Sequence, residues 1–441
     1  MRLRVVAGLV LVVGALQAGA IELPVETSTL RNGLQVLVHE DHSAPVISSY
    51  IFYRCGSRNE RDGQTGIAHL FEHMMFNGGM KFGPGQFDDL IEGNGGSTNG
   101  FTTRDLTAYL NNFPTEALPI VLDLEADRMW HLAITPTNLE QERGIVAEER
   151  RLRIDNDVQG SMDEALYLHA FVRSSYRWNT VGFMADIQRI TLAEAKAYFA
   201  HCYAPNNAVV VLAGDVTAHE AFARVNRAFG AIPRAEPPPP VDAQEPLQAG
   251  ERRLVVRRIA ELPAVLMGYH GVKAMDADRP ALEVAAQVMG GGESARLDRD
   301  IVRERELATA VQVDPGGGID PDLFSFYAQA RPGKTTAQIE ARIEAVVAAM
   351  ATTPVPDDEL RKAKRQLRAD LVKGLKTVSG KASKLGFAQV VFGDYRALVG
   401  MEAQWEAVTA DDVRRVVGRY LVKDQRTVVT LEPLARDGGA R

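Results

Sequence analysis

The 441-residue sequence predicts a mixed fold of helices and strands, of the α+β or α/β class, built as two similar halves. Strand-like runs at residues 35–39 and 46–53 precede a glycine-rich stretch and a helix-like stretch at 66–76, a pattern that excludes an all-helical fold. The composition, 46% hydrophobic and 24% charged, is that of a chain able to bury a large core. Two or more domains are therefore expected.

The N-terminus has the pattern of a signal peptide. Arg2 and Arg4 are followed by an apolar run at residues 5–16 and by small residues at 18–20. The run is too short to span a membrane, and no later segment approaches the required length of about 20 apolar residues. We predict that residues 1–20 are a signal peptide and that the protein is exported, to the periplasm or the medium, without a membrane span in its mature form.

The charge and the cysteines narrow the class of protein further. Removal of residues 1–20 takes away two arginines and no acid, so the formal net charge moves from -7 to -9. Nothing in this charge suggests nucleic acid as a partner. The chain has two cysteines, Cys55 and Cys202. Either one disulfide or two buried free thiols is compatible with the sequence.

Further along the chain, two segments have the same order of predicted elements. Residues 115–131 and, after a break at Pro136, residues 137–156 predict helices that cover a sheet. Then Thr191 begins a capped helix that leads through Tyr203 to a strand at 209–213. From Thr409 the chain repeats this order, with Tyr420 and a strand at 427–431. This echo predicts a duplicated fold.

A proline-rich segment divides the two copies. Pro237 to Pro240 lie within residues 233–250, which we predict to be a semi-rigid linker between domains at 21–232 and 251–436. Residues 68–79 (AHLFEHMMFNGG) align without gaps on residues 281–292 (ALEVAAQVMGGG). The second copy has Leu282, Ala285 and Ala286 where the first has His69, Glu72 and His73. The second copy therefore lacks the reactive side chains of the first.

The first copy carries a metal-binding pattern. His69 and His73 are four residues apart, so on a helix their Cβ atoms lie about 5–6 Å apart on one face. Two imidazoles at this spacing suit zinc, and a hydrolytic zinc site adds a third protein ligand and leaves one position for water. Glu72 lies on the adjoining part of that face, where its carboxylate can act as a general base.

The third ligand is expected on the helix at residues 141–153, which carries three candidate acids. Glu142 and Glu149 are two turns apart on one face, whereas Glu148 points elsewhere. The residues alone leave a plainer interpretation open. An HxxEH string arises often by chance, and a helix rich in Arg and Glu is usually a solvated face with internal ion pairs.

Several motifs together resemble a known family. Residues 66–79 (GIAHLFEHMMFNGG) are similar to the inverted zinc motif of the pitrilysin, insulin-degrading enzyme and mitochondrial processing peptidase family. Further matching stretches occur in the family's order: CGSRNE at 55–60, GGSTNGFTTRDLTAY at 95–109, ERGIVAEE at 142–149 and YAPNNAVVVLAGD at 203–215. The likeness covers nearly all of the mature chain and is stronger in its first half.

The resemblance implies a fold and a set of site residues. It implies an α+β chain of two homologous domains, each a mostly antiparallel sheet covered by helices, of which only the N-terminal one is active. His69, His73 and Glu149 would hold one Zn²⁺ per chain, with Glu148 as the alternative if the alignment is one residue out of register. Glu72 would be the general base. Glu142 would support a ligand or water; its plain alternative is a surface ion pair.

The resemblance also implies substrate-binding residues. Asn99 falls in a segment similar to the family's substrate-holding edge strand, although the surrounding glycines also favour a turn. Arg303 matches an arginine that holds substrate near the metal. Thr309 stands about where the family has a tyrosine. We therefore expect a partner chain to supply the missing phenol.

Taken together, these features predict a zinc-dependent endopeptidase for extended peptides or unfolded segments. The resemblance implies a chamber closed by two similar chains, as a homodimer or as a heterodimer with a relative that keeps the Arg and Tyr pair. The alternative is a non-catalytic subunit that binds zinc or peptides within a larger complex. The intact Glu72 argues against that alternative, since a merely structural zinc has no need of it.

Overall fold

The structure, a computed structural model, describes residues 22–242 and 244–434. The predicted signal peptide, residues 1–20, lies outside the described residues, as do the last two residues of the predicted C-terminal domain. Within the described ranges, no helix combines the length and the apolar character needed to cross a lipid bilayer.

Both strands and helices occur in each half of the described ranges. The strands are β1 (Glu26–Thr29), β2 (Gln35–Glu40), β3 (Val46–Tyr53), β4 (Ser97–Thr102), β5 (Thr107–Pro114), β6 (Ala208–Gly214), β7 (Arg252–Ile259), β8 (Ala264–His270), β9 (Ala308–Asp314), β10 (Leu323–Ala330) and β11 (Arg426–Leu434). The α-helices are α1 (Ile67–Met74), α2 (Gln86–Gly93), α3 (Leu118–His131), α4 (Pro136–Arg150), α5 (Val158–Ala170), α6 (Met184–Arg189), α7 (Leu192–Cys202), α8 (Ala218–Phe229), α9 (Arg279–Gly290), α10 (Thr336–Thr352), α11 (Asp357–Gly374), α12 (Val378–Val391), α13 (Ala397–Ala407) and α14 (Ala410–Tyr420). Short 3-10 or π turns occur at Ser57–Asn59, Thr115–Ala117, Arg151–Asp155, Ser175–Arg177, Pro205–Asn207, Asp298–Glu304 and Lys423–Gln425.

The strands form two sheets, of six and five strands, and five strands of the first sheet have the same order as those of the second; β1 is an additional edge strand of the first sheet. The first sheet has the order β1-β2-β6-β3-β5-β4, and the second has the order β7-β11-β8-β10-β9. Each sheet is antiparallel except for one parallel pair, β2 with β6 and β7 with β11. We call the parts built on these sheets the N-terminal and C-terminal halves. The predicted fold of two homologous, mostly antiparallel αβ units is confirmed.

The two halves also match in their helices. Helix α1 follows β3, and α9 follows the corresponding strand β8. On α9, Leu282, Ala285 and Ala286 are buried in the apolar core. Capping boxes at Thr191 and Thr409 begin α7 and α14, as the sequence predicts. Packing therefore accounts for the side chains that replace the histidines in the second copy.

One helix of each half packs on the sheet of the other half. Helix α5 packs on β8 and β11, where Leu166 joins a cluster with Leu266 and Val429. In return, α12 packs on β3 and β6. A Cβ at Gly386 of α12 would lie 1.9 Å from the Phe52 ring, so this close approach requires glycine. The exchange of helices makes the halves one continuous packed unit.

Polar contacts reinforce this interface. The Arg58 guanidinium donates to both carboxylate oxygens of Asp320, at 2.9 Å and 3.0 Å. At another point of the interface, Lys381 of α12 lies 2.5 Å from the Asp41 carboxylate. A bidentate pair with little solvent exposure orients both partners. These bonds join the two halves through polar side chains outside the apolar core.

Asp163, on the interface helix α5, is held in an unfavourable setting. Burial raises the pKa of its carboxyl to about 6, against the opposing effect of Arg104. Because the folded-state pKa lies above the ordinary value of 3.8, this residue favours folding below about pH 4 and disfavours it once the pH exceeds about 6. We expect Asp163→Asn to raise the free energy of unfolding at pH 8 by about 1–3 kcal/mol.

Urea unfolding of both proteins at pH 8 and pH 4 tests this expectation. At pH 4 the folded Asp163 is already protonated, so the variant should gain little there. An equal gain at both pH values, or a loss at pH 8, would contradict the assigned burial cost.

Candidate metal centre

Helix α1 forms where the sequence predicts it and turns one face to the core. Leu70, Phe71 and Met74 are fully buried against the first sheet and its helices. His69 is buried and His73 is half-buried on a neighbouring face. The apolar stripe thus fixes the rotation of α1 about its axis, and that rotation aims both imidazoles at α4.

The two imidazoles converge with one carboxylate of α4. His73 Nε2 lies 3.1 Å from Glu149 Oε2, and His69 Nε2 lies 3.6 Å from the same oxygen. One ligand atom from each residue lies within 4.8 Å of the other two. Ligands at zinc bond lengths of about 2.0–2.1 Å in a tetrahedron are about 3.3 Å apart. The donor set and its spacing therefore fit one zinc ion.

Burial and the neighbouring ligands shift the pKa of each residue in the cluster. Burial lowers the pKa of His69, which favours the neutral imidazole that a metal requires. Burial also lowers the pKa of His73, but the hydrogen bond and charge of Glu149 outweigh it and raise that pKa overall. The hydrogen bond with His73 lowers the pKa of Glu149. The carboxylate and the imidazoles thus stabilise each other in a partly buried site.

Glu72 lies on the same helix but outside this ligand set. Its side chain fills the space beside Gly100 of β4, where an added Cβ would come within 3.2 Å of Glu72 Cγ. Burial raises the pKa of the Glu72 carboxyl, although its hydrogen bond with Thr102 acts in the opposite direction. The carboxyl is thus placed between the metal ligands and the edge strand β4.

Glu142 lies behind His73. Its Oε2 faces His73 Nδ1 at 3.7 Å, and its Oε1 accepts a hydrogen bond from Asn77 Nδ2 at 2.9 Å. Glu142 is buried, so it is no surface ion pair. Glu148, by contrast, is exposed and pairs with Arg151. Of the three acids predicted on this helix, Glu149 reaches both histidines, Glu142 faces one of them and Glu148 points away.

Asn99 lies in β4, which forms the outer edge of the first sheet. It is exposed and pairs in register with Leu110 of β5, so it is a strand residue rather than a turn residue. Because Gly100 faces Glu72, strand alternation directs the Asn99 side chain to the opposite face. Its Oδ1 accepts the N–H of Gly100 at 2.9 Å.

Arg303 lies apart from this cluster. It is exposed in the C-terminal half and pairs with Glu293 and with Asp298, the latter at 3.0 Å. No hydrogen bond or ion pair between Arg303 and the metal cluster occurs in the described part of the chain. Thr309 is exposed on β9, the edge strand of the second sheet, and donates to Gln329 O at 3.3 Å.

Two residues that were not predicted as site residues hold the cluster in place. Arg153 Nη1 lies 2.8 Å from Glu149 Oε1, so it occupies the oxygen that faces away from the histidines. Tyr109 Oη donates to Phe71 O of α1 at 2.9 Å. The spacing of four residues between Glu149 and Arg153 could have revealed the first contact. No local pattern marks the second.

A disulfide cross-links the N-terminal half. Cys55 and Cys202 are bonded, with their Cα atoms 5.7 Å apart, and both residues are buried. Cys55 follows β3, and Cys202 is the last residue of α7. Of the two alternatives that the sequence left open, the structure has the disulfide.

The paired αβ halves and the HxxEH helix with a distant glutamate are those of the metallopeptidase class. Residues 35–180 match the family model described as Insulinase (Peptidase family M16), and residues 189–367 match the model described as Peptidase M16 inactive domain. The zinc protease PqqE of Helicobacter pylori is 31% identical over 414 residues, which cover 92% of this chain and 93% of that protein. This chain therefore belongs to peptidase family M16.

Two further relatives extend the likeness. A crystal structure of a protease from Helicobacter pylori has a TM-score of 0.89 and 30% identity, and the match covers 93% of this chain and 100% of that chain. The beta subunit of the mitochondrial-processing peptidase of Blastocladiella emersonii is 22% identical over 93% of this chain and 89% of its own length. Family membership supports a peptidase role and makes zinc the metal to expect at the cluster.

Proposed function

We propose that this chain is a zinc-dependent endopeptidase that cuts extended peptides or unfolded protein segments. The observation that carries the proposal is the convergence of His69 Nε2, His73 Nε2 and Glu149 Oε2, with Glu72 close by but outside the ligand set. A structural zinc site is closed by four protein ligands, whereas a catalytic site has three and leaves one position open. Three ligands and a nearby free carboxylate favour catalysis.

The residues divide the chemistry among them. Zinc, when bound, lowers the pKa of a coordinated water to about 7 and polarises the carbonyl oxygen of the substrate. Glu72 removes a proton from the attacking water and returns it to the leaving amine. Glu142 faces the Nδ1 of His73 and orients that ring, and Arg153 holds Glu149 by its other oxygen.

The exposed edge of strand β4 supports an extended peptide as the substrate. One side of β4 pairs with β5, and its other side has no strand partner among the described residues. An extended peptide can add to such an edge through main-chain hydrogen bonds, which tolerate many sequences. Thr102, next to Glu72, belongs to this strand. A peptide bound along β4 would therefore run past the general base.

The proposed enzyme includes a partner chain that supplies residues for substrate binding. Arg303 is paired with acids in the C-terminal half, and Thr309 lacks the phenol that the family uses. A second chain, identical or related, would bring an arginine and a tyrosine to the substrate and close the chamber. Each zinc-bearing chain would hold one Zn²⁺, and residues 1–20 would direct its export.

Incubation of the mature chain with an unstructured peptide mixture tests the function. The arms are the chain alone, the chain with a related partner that lacks HxxEH, and each of these with a chelator, read by mass spectrometry. Chelator-sensitive internal cleavage is expected, and it should be faster with the partner. Peptide binding without cleavage in every arm would instead favour a non-catalytic subunit. Full activity of the chain alone would remove the partner from the proposal.

A pair of neighbouring substitutions tests the third ligand. Glu149→Gln should weaken zinc binding by more than about 100-fold, beyond the range for residues that only support a ligand. Glu148→Gln makes the same chemical change one position away and should leave the affinity unaltered, because Glu148 is exposed and points away. Zinc affinity is measured by competition with a chromogenic chelator. Zinc loss in the Glu148 variant alone would mean that the ligand is misassigned.

A further inference from the structure

Helix α1 begins without a capping side chain. Its N-cap residue, Gly66, has a φ of 86°, and a Cβ there would lie 2.3 Å from the carbonyl oxygen of Val181. Glycine is therefore required, and the side-chain acceptor that usually serves the first N–H groups of a helix cannot be present at this position. The acceptor for these N–H groups must come from elsewhere in the chain.

Glu60 provides this acceptor. Its Oε2 accepts the N–H of Gly66 at 3.0 Å, and its Oε1 accepts the N–H of Ala68 at 2.9 Å. The residue is 8% exposed, so water does not compete for these bonds. Both carboxyl oxygens are thus committed to the first turn of α1. Burial raises the pKa of the Glu60 carboxyl, and its hydrogen bonds with the N–H groups of Ala68 and Gly66 oppose that rise.

The segment that carries Glu60 is fixed in turn. The N–H of Ser57 donates to Thr103 O at 3.2 Å, and Trp178 Nε1 donates to Ser57 O at 2.9 Å. Thr103 follows β4 directly, next to Thr102, which contacts the general base Glu72. The segment at residues 57–60 therefore both caps α1 and binds the chain at the end of the edge strand β4.

We propose that Glu60 is a positioning residue for the metal centre, which caps α1 and thereby holds the His69 imidazole in its ligand position. The inference rests on the zinc site of the proposed function. Ala68, whose N–H is bound by Glu60, immediately precedes His69. His69 lies in the first turn of α1, which is the part of a helix that frays when its cap is lost.

The other imidazole is held differently. His73 lies one turn further along α1, near the point where Tyr109 Oη binds Phe71 O at 2.9 Å. It also faces Glu142. Loss of Glu60 therefore displaces His69 more than His73, and the three-ligand site loses one ligand without unfolding of the whole helix.

Two substitutions of Glu60 test the proposal. Glu60→Ala removes both acceptors and should weaken zinc binding by about 10–100-fold, the range seen when a residue that supports a ligand is lost. Glu60→Gln keeps one acceptor oxygen and should lose less affinity. In the metal-free proteins, amide hydrogen exchange at residues 66–70 should be faster than in the wild type. The increase should be larger for Glu60→Ala than for Glu60→Gln. Zinc affinity is measured by chelator competition and exchange by mass spectrometry.

Glu283→Gln is the matched control. Glu283 is a buried carboxylate on α9, the counterpart of α1, and accepts a hydrogen bond from Trp405 Nε1 at 2.6 Å. Its loss should lower thermal stability but leave zinc affinity unchanged.

Wild-type zinc affinity in both Glu60 variants would overturn the proposal, as would exchange that rises equally throughout the chain. If Glu60→Ala does not fold, Glu60→Gln decides. A wild-type chain that binds no zinc would refute the proposed function, while the exchange data would still test the cap.

Discussion

Glu72→Gln is expected to leave the zinc content unchanged and to lower peptide turnover by about 10²–10⁴-fold, the contribution of a positioned general base. The amide has nearly the size of the carboxylate, so it can occupy the same space beside Gly100. It cannot accept a proton from water at neutral pH. Because Glu72 lies outside the group formed by His69, His73 and Glu149, its loss removes no ligand.

The measurement requires zinc content and turnover on the same samples. Glu148→Gln, an identical change at an exposed position, should retain both, whereas His73→Ala should lose both. Normal turnover in the Glu72 variant would end the proposed mechanism. Loss of zinc from that variant would place Glu72 among the ligands and leave the general base unassigned.

The histidine pair could be predicted from the sequence because helix periodicity alone brings His69 and His73 onto one face. Periodicity does not bring Glu149 to them, because it lies 76 positions after His73. The resemblance named Glu149 as the third ligand, with Glu148 as the alternative for an alignment one residue out of register. In the structure the choice has a packing reason: Val146, Ala147 and Arg150 are buried, which rotates Glu149 toward α1 and Glu148 into solvent.

Some features of the fold could be predicted from the sequence and others could not. The fold class, the duplication and the capped helix followed by a strand at the end of each half could be predicted from the sequence, because the same caps and strand-like runs occur twice. The exchange of α5 and α12 between the halves could not, because an apolar helix face shows only that a helix packs, not which sheet it covers. The capping role of Glu60 could not be predicted from the sequence either. Its bonds go to backbone N–H groups, so no partner side chain marks it in the sequence.

The Cys55–Cys202 disulfide joins two parts of the N-terminal half that are distant in sequence. The cysteines are 147 residues apart, and the closed loop contains α1 to α7 together with β4 and β5. Both metal-binding helices lie inside this loop. A cross-link that closes a long loop lowers the conformational entropy of the unfolded chain, and a loop of this length gives roughly 5 kcal/mol in the entropic treatment.

Replacement of both cysteines by serine is therefore expected to lower the free energy of unfolding by about 3–5 kcal/mol, among the largest effects of any change outside the metal site. Chemical unfolding followed by tryptophan fluorescence measures it. Reduced wild type is the matched control, because it lacks the bond but keeps the buried sulfur atoms in place. In reductant the wild type should lose most of its advantage over the variant. A wild type that unfolds at the same denaturant concentration with and without reductant would show that the cross-link adds no stability.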